Sequence, residues 1–223
     1  MSSIEGASQY RGNQDTADNN RSQETTGPAA NNPEGSNRLN IPPEHGKLLA
    51  KLARQAIAYR LDTGQDLPPA SKLPDSLSQP GAAFVSLHHG DELRGCIGTL
   101  LAKKPLVEST MEAAVDAALN DPRFEPVNRS ELDVLIVKTA VLSAAEPLYA
   151  ANDQELIEQL RPGEDGLILH DGHRRATFLP AVWETLPDPR EFVVNLKAKA
   201  GLMPDHWSPT IYFARYTAVT FNA

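Results

Sequence analysis

The sequence predicts an α+β fold of mostly antiparallel strands mixed with helices, and three observations predict it. Two pairs of β-rich runs flank tight turns, at Gly90-Asp91 and at Asp171-Gly172, which is the signature of a hairpin. Around them lie stretches whose apolar residues recur at helical spacing. Hairpins need no crossover helix, so their mixture with helices favours this class over a doubly wound parallel sheet.

Residues 1 to 40 are dominated by Ser, Asn, Gln, Gly, Thr and Asp, with almost no branched apolar side chains. Such a segment buries too little apolar surface to offset the entropy of ordering it, and a disordered polar tail is expected. Residues 41–223 then form one sizeable domain, large enough for two lobes. From Glu44 to Leu61 the positions Leu48, Leu49, Leu52, Ile57 and Leu61 mark an amphipathic helix. Four prolines between Leu67 and Pro80 indicate an irregular loop. Ala83–Leu87 and Leu93–Thr99 form the first hairpin. Pro105 opens a helix to Leu119 with Leu106, Met111, Ala114, Val115 and Ala118 inward, ended by Asn120-Asp121-Pro122. Asp133 to Ser143 reads as a strand and Asp153 to Leu160 as a short helix. Leu167–His170 and His173–Phe178 form the second hairpin. Phe192, Val193, Leu196 and Ala200 lie along a helix closed by Gly201, and Ile211–Val219 is the last strand.

The formal net charge is −8 and the pI about 5.2. An acidic chain with scattered Lys and Arg lacks the basic stripe of a nucleic-acid binder. The first residues do not read as a secretory signal, and no apolar run approaches the ~20 residues of a membrane span. The single cysteine, Cys96, excludes an internal disulfide framework and fits a reducing compartment, so a cytoplasmic protein is expected.

That cysteine sits between two glycines in Leu93-Arg94-Gly95-Cys96-Ile97-Gly98-Thr99. Regular alternation places Arg94, Cys96 and Gly98 on one face of the strand, with Leu93, Gly95, Ile97 and Thr99 on the other, the core side. A guanidinium near a thiol favours the thiolate, its reactive form. Gly98 removes a side chain beside the sulfur and lets a ligand or another backbone approach. The residues equally allow Cys96 to be a small buried hydrophobe, the glycines to mark a bulge, and Arg94 to pair with a carboxylate.

The string from Leu93 to Thr99 resembles the LRGCIGT motif of the AMMECR domain family, known in bacteria and archaea as AmmeMemoRadiSam system protein A. Three further blocks follow in order. Asp121-Pro122-Arg123-Phe124-Glu125-Pro126 resembles the family's DxRFxP element. Ala176-Thr177-Phe178-Leu179-Pro180 resembles its ATFLP element, and Leu196 to Gly201 its LxxKAG element. The resemblance covers roughly residues 44 to 221. It implies two unequal lobes, each an antiparallel sheet with helices, and a motif cysteine facing the cleft between them. It names no reaction, substrate or cofactor. It does imply an association with a Memo-like protein and a radical S-adenosylmethionine protein. This chain has no cysteine trio for an iron–sulfur cluster, so radical chemistry would belong to the partner.

Several residues carry two readings. Arg123 either clamps an anion with its planar fork or holds its proline-flanked loop. Lys199 either meets the dipole of a helix end or anchors an anion. Gly95, Gly98 and Thr99 of the motif are expected to take part in binding. His88 and His89 are adjacent and point to opposite faces, so they do not share a metal, although a pair of Cys96 with either is open. His170 and His173 read as exposed hairpin-tip residues. Two functions follow as expectations. In one, Cys96 with Arg94 beside it carries a cysteine-dependent step of a modification pathway. In the other, the cleft is a non-catalytic module that holds a ligand or partner through Arg94, Arg123 and Lys199.

Overall fold

The computed structural model describes residues 41–70 and 72–223; the polar tail expected over residues 1–40 lies outside the described residues. In chain order the elements are α1 (Pro43–Thr63), α2 (Asp75–Ser78), β1 (Ala82–His89), β2 (Glu92–Gly98), α3 (Leu106–Leu119), α4 (Arg129–Leu132), β3 (Ile136–Leu142), β4 (Glu146–Leu148), α5 (Asp153–Gln159), β5 (Gly166–Asp171), β6 (Arg174–Phe178), a 3-10 turn (Pro180–Glu184), α6 (Pro189–Lys199), β7 (Tyr212–Tyr216) and β8 (Ala218–Asn222).

The strands form two four-stranded antiparallel sheets, ordered β2-β1-β3-β8 and β4-β7-β5-β6. In the first lobe α1 and α3 pack on one face of the sheet. The buried side of α1 carries Leu49, Leu52, Ala53, Ala56 and Ile57 at the spacing of one helix face. That of α3 is rich in alanine, with Ala113, Ala114, Ala117 and Ala118 buried, so its backbone comes close to the strands. In the second lobe Leu167 and Leu169 of β5 point to a core with Phe192 and Leu196 of α6, Trp183 and Phe213. The indole of Trp183 stacks on Phe192 at 3.8 Å between centroids.

The opposite faces meet each other. Ala82, Phe84, Cys96 and Leu142 of the first sheet pack with Tyr216 and the flanking Ile168 and Leu179 of the second lobe. This seam joins the lobes and places Cys96 between them.

Both hairpins form at the expected turns, with Gly90 at φ +62° and Gly172 at φ +59°. Asp171, in the second turn, accepts hydrogen bonds from Thr210, Ser208 and His206. The bonds from Thr210 and His206 lead in drawing its carboxyl down to about 2, and together the three tie the loop before β7 to the hairpin. Three other readings change. The proline-rich loop contains α2, whose Leu77 is fully buried in the first lobe. The strand expected from Asp133 begins at Ile136, because Asn128 caps α4 through the Glu131 amide and Asp133 ends that helix.

The last run, expected as one strand, is two strands in different sheets. At the crossing, the Thr217 carbonyl accepts a hydrogen bond of 2.9 Å from the Ser143 amide. The Thr217 amide donates one of 2.9 Å to Ser143 Oγ. Ser143 lies where the chain leaves β3 for β4, so the two crossings between lobes are pinned together.

Candidate functional site

Cys96 lies on β2, an edge strand paired only with β1 among the described residues. It is 8% exposed. Its backbone is held on both sides by the loop after α3. The Cys96 amide donates to Asp121 Oδ2 at 2.9 Å, and its carbonyl accepts from Arg123 Nη2 at 3.2 Å. Asp121 and Arg123 also bind each other, Nε to Oδ1 at 3.0 Å and Nη2 to Oδ2 at 2.7 Å. The Arg123 amide closes the turn on Asp121 Oδ1, an Asx turn that fixes the guanidinium against β2. The Phe124 ring lies 5.3 Å from the Arg123 guanidinium. Burial works to raise the Asp121 pKa, but the bonds from Arg123 and the Cys96 amide outweigh it and hold the carboxyl below its ordinary value.

The second lobe supplies an amine. Lys199, in the last turn of α6, donates to the Thr177 carbonyl at 2.9 Å and stands 5.3 Å from the Phe178 ring centroid. Burial pulls the Lys199 pKa down to about 8, with Cys96 pulling it up and Arg123 pushing it down. The amine therefore lies within electrostatic reach of Cys96 and Arg123 on the other lobe. Beneath it, Tyr216 lays its ring over Gly166, where a Cβ would come within 2.5 Å of the ring. Its hydroxyl bonds to Thr177 Oγ1 at 2.9 Å and to the Phe178 carbonyl at 3.1 Å. Burial raises the pKa of this phenol far above its ordinary value, so it stays protonated.

The structure thus brings together Cys96, Arg123 and Lys199, three of the residues singled out from the sequence. Arg94 departs from the reading that set it beside the thiol and follows the alternative, a bulge and a carboxylate partner. Leu87 pairs with Gly95 and His88 with Leu93, which leaves Arg94 as the extra residue of a β-bulge. The alternation that put Arg94 and Cys96 on one face is broken there, and Leu93 joins Cys96 on the seam side. The Arg94 guanidinium turns to Glu131 of α4, with Nε to Oε1 at 2.5 Å and Nη2 to Oε2 at 3.1 Å.

The glycines are also explained by packing. A Cβ at Gly95 would lie 2.2 Å from the Ala117 carbonyl oxygen of α3, and one at Gly98 2.4 Å from the Ala83 carbonyl oxygen. Backbone and side chains of the protein occupy the space that each glycine leaves. Thr99 lies off the seam, in a hollow of about 220 Å³ lined with Lys103, Lys104, Glu112 and Asp116. His170 and His173 are exposed at the second hairpin tip, as expected. Among the described residues, no three His, Cys, Asp or Glu side chains are grouped to hold a metal ion.

Asp121 and Tyr216 are the two site residues that sequence reasoning did not single out. Asp121 stood inside a recognised block, and a carboxylate two residues before an arginine in a proline turn is a usable signal. Tyr216 carried none that separates it from Tyr212.

Fold and site together define a two-lobed antiparallel α+β domain with a cysteine, an arginine and a lysine at the junction of its lobes. The chain belongs to the AMMECR1 family, whose model matches residues 50–221. It is 39% identical over 181 residues to a protein of Methanothermobacter thermautotrophicus, covering 80% of this chain and 94% of that one. It is 38% identical over 191 residues to a protein of Methanopyrus kandleri, covering 80% and 88%. The crystal structure of an uncharacterised protein of Pyrococcus horikoshii superposes with a TM-score of 0.78 at 36% identity, covering 82% of this chain and 94% of that one. No helix among the described residues is long and apolar enough to cross a membrane.

Proposed function

We propose that the lobe junction carries a cysteine-dependent covalent step in which the Cys96 thiolate is the nucleophile and the Lys199 ammonium its stabilising cation. The observation that carries this reading is the placement of a half-buried amine, supplied by the other lobe, within electrostatic reach of the one cysteine. With a pKa of about 8, that amine is mostly protonated at neutral pH, and a cation beside a thiol favours the nucleophilic form. Arg123 and Asp121 fix the strand along the edge turned away from β1, so the sulfur is presented from a rigid element. The role expected of Arg94 passes to Lys199, because Glu131 engages the Arg94 guanidinium.

The rival, a non-catalytic module that grips an anion through Arg94, Arg123 and Lys199, has less behind it. Both guanidiniums already face carboxylates, Glu131 and Asp121. The resemblance to AmmeMemoRadiSam system protein A adds a modification pathway with a Memo-like protein and a radical S-adenosylmethionine protein as the setting.

Alkylation of the native protein by iodoacetamide near neutral pH tests the reading. Cys96 should react without denaturant, and Lys199→Met should slow it about tenfold by removing the cation. A thiol that reacts only after unfolding would leave Cys96 a packing residue.

A further inference from the structure

The sheet face that carries Cys96 continues past the seam. Ser86 of β1 lies directly opposite Cys96 in the antiparallel register, so the two side chains leave the same face as immediate neighbours. Two residues further along β1, His88 shares that face, and its Nε2 stands 3.0 Å from Ser86 Oγ. Exposure rises along this row, for Cys96 is buried while Ser86 and His88 are both half-buried. The row runs from a thiol covered by the second lobe to an imidazole that water reaches.

We infer that Ser86 and His88 are the proton exit of Cys96. This rests on the reading of Cys96 as a nucleophile and names the group that takes its proton. The Cys96 thiol proton passes to Ser86 Oγ as the Ser86 hydroxyl proton passes to the neutral His88 Nε2, leaving a thiolate and an imidazolium. The sulfur lone pair then forms a bond to an electrophilic carbon, and the leaving group departs with the electrons of the bond that breaks. The imidazolium returns its proton to water. Lys199 keeps its own proton throughout and acts as the cation at the sulfur.

The charges around the row agree with this assignment. His88 is held below its ordinary pKa by burial first and by Lys138 of β3 second, while Asp91 of the turn opposes them. It is therefore neutral, a proton acceptor, at neutral pH. At the thiol end Asp121 and Arg123 are engaged with the Cys96 backbone and with each other, Lys199 is a cation within electrostatic reach, and the Tyr216 phenol stays protonated. None of these takes the proton as readily as a neutral imidazole with an open side to solvent.

The rate of Cys96 alkylation by iodoacetamide in the full-length protein, followed by intact mass from about pH 5 to 9, tests the relay. The wild-type profile should show an inflection on its acid side, below the ordinary histidine range of about 6.5. Ser86→Ala and His88→Gln should remove that inflection and slow the reaction near neutral pH at least about tenfold, the low end of general-base effects. Lys138→Met should move the inflection upward, because it removes a cation that disfavours the imidazolium. His89→Gln, on the opposite face, should change nothing.

Unchanged profiles in Ser86→Ala and His88→Gln proteins with wild-type melting temperatures would overturn the relay and leave the nucleophile in place. A wild-type thiol inert without denaturant overturns both.

Discussion

At Asp121 a carboxylate that is 2% exposed accepts hydrogen bonds from the Cys96 and Arg123 amides and from the Arg123 guanidinium. One side chain therefore positions both the cysteine strand and the arginine beside it. Its folded pKa lies below the ordinary carboxylate value, so its stabilisation is complete above the unfolded pKa of about 3.9 and fades as pH falls through the lower folded value. Asp121→Asn should cost about 3 kcal/mol in urea denaturation at neutral pH, the low end for breaking a buried pair because Arg123 keeps some access to water. The gap between wild type and variant should narrow in acid; a gap that stays constant down to about pH 3 would mean that shape, not charge, carries the effect. Cys96, Arg123 and Lys199 were legible in the sequence because their chemistry is distinctive and their blocks are ordered. Of the partners of Asp121, Arg123 is two residues away and readable, but the Cys96 amide lies 25 residues back in the chain, and a local reading does not see it.

The strand β2 is pressed between α3 and the second lobe, and Gly95 answers to that squeeze, while Gly98 makes room for Ala83 and Phe84 of β1. A methyl group at Gly95 would collide with a backbone carbonyl oxygen of α3 that has no rotamer in which to withdraw. Gly95→Ala should therefore destabilise by about 3 kcal/mol, at the upper end of ordinary overpacking. Gly90→Ala is the control. There φ is +62° and nothing lies within 4 Å of the added Cβ, so only the left-handed backbone penalty of about 1 kcal/mol applies. Thermal melts that rank the two equally would refute the close contact with α3. Helices and hairpins at this scale were readable from periodicity and turn residues. A bulge at the glycines was one of the two readings of the motif, but its place at Arg94 was not legible, because alternation assumes a regular pleat and an extra residue shows only against the partner strand. The break at Thr217 was hidden for a similar reason. A continuous β-rich run carries no mark of the point at which it changes sheets.

At the scale of the whole molecule, the lobes share the seam around Phe84, Cys96, Leu142 and Tyr216 and the paired crossings at Ser143 and Thr217. Residue patterns alone gave the elements and the mixed class; the division into two lobes came through the family resemblance, because which strand joins which sheet is decided by pairings far apart in sequence. Tyr216 is the second lobe's buried member of the seam cluster, and its hydroxyl ties β7 to β6 through Thr177 and Phe178. Two substitutions separate those contributions. Tyr216→Phe keeps the ring and loses the hydroxyl bonds, which should cost about 1 kcal/mol and leave unfolding as one event. Tyr216→Ala removes the ring from between the sheets, with an expected cost of about 3–5 kcal/mol for an aromatic cavity. If the seam couples the lobes, the wild type melts in a single calorimetric transition and the Tyr216→Ala protein in two, since lobes that lose their shared surface unfold as separate units. Two transitions already present in the wild type would show that the seam is a contact and not a coupling. The junction that holds Cys96 opposite Lys199 would then have to be fixed by the crossings at Ser143 and Thr217 instead.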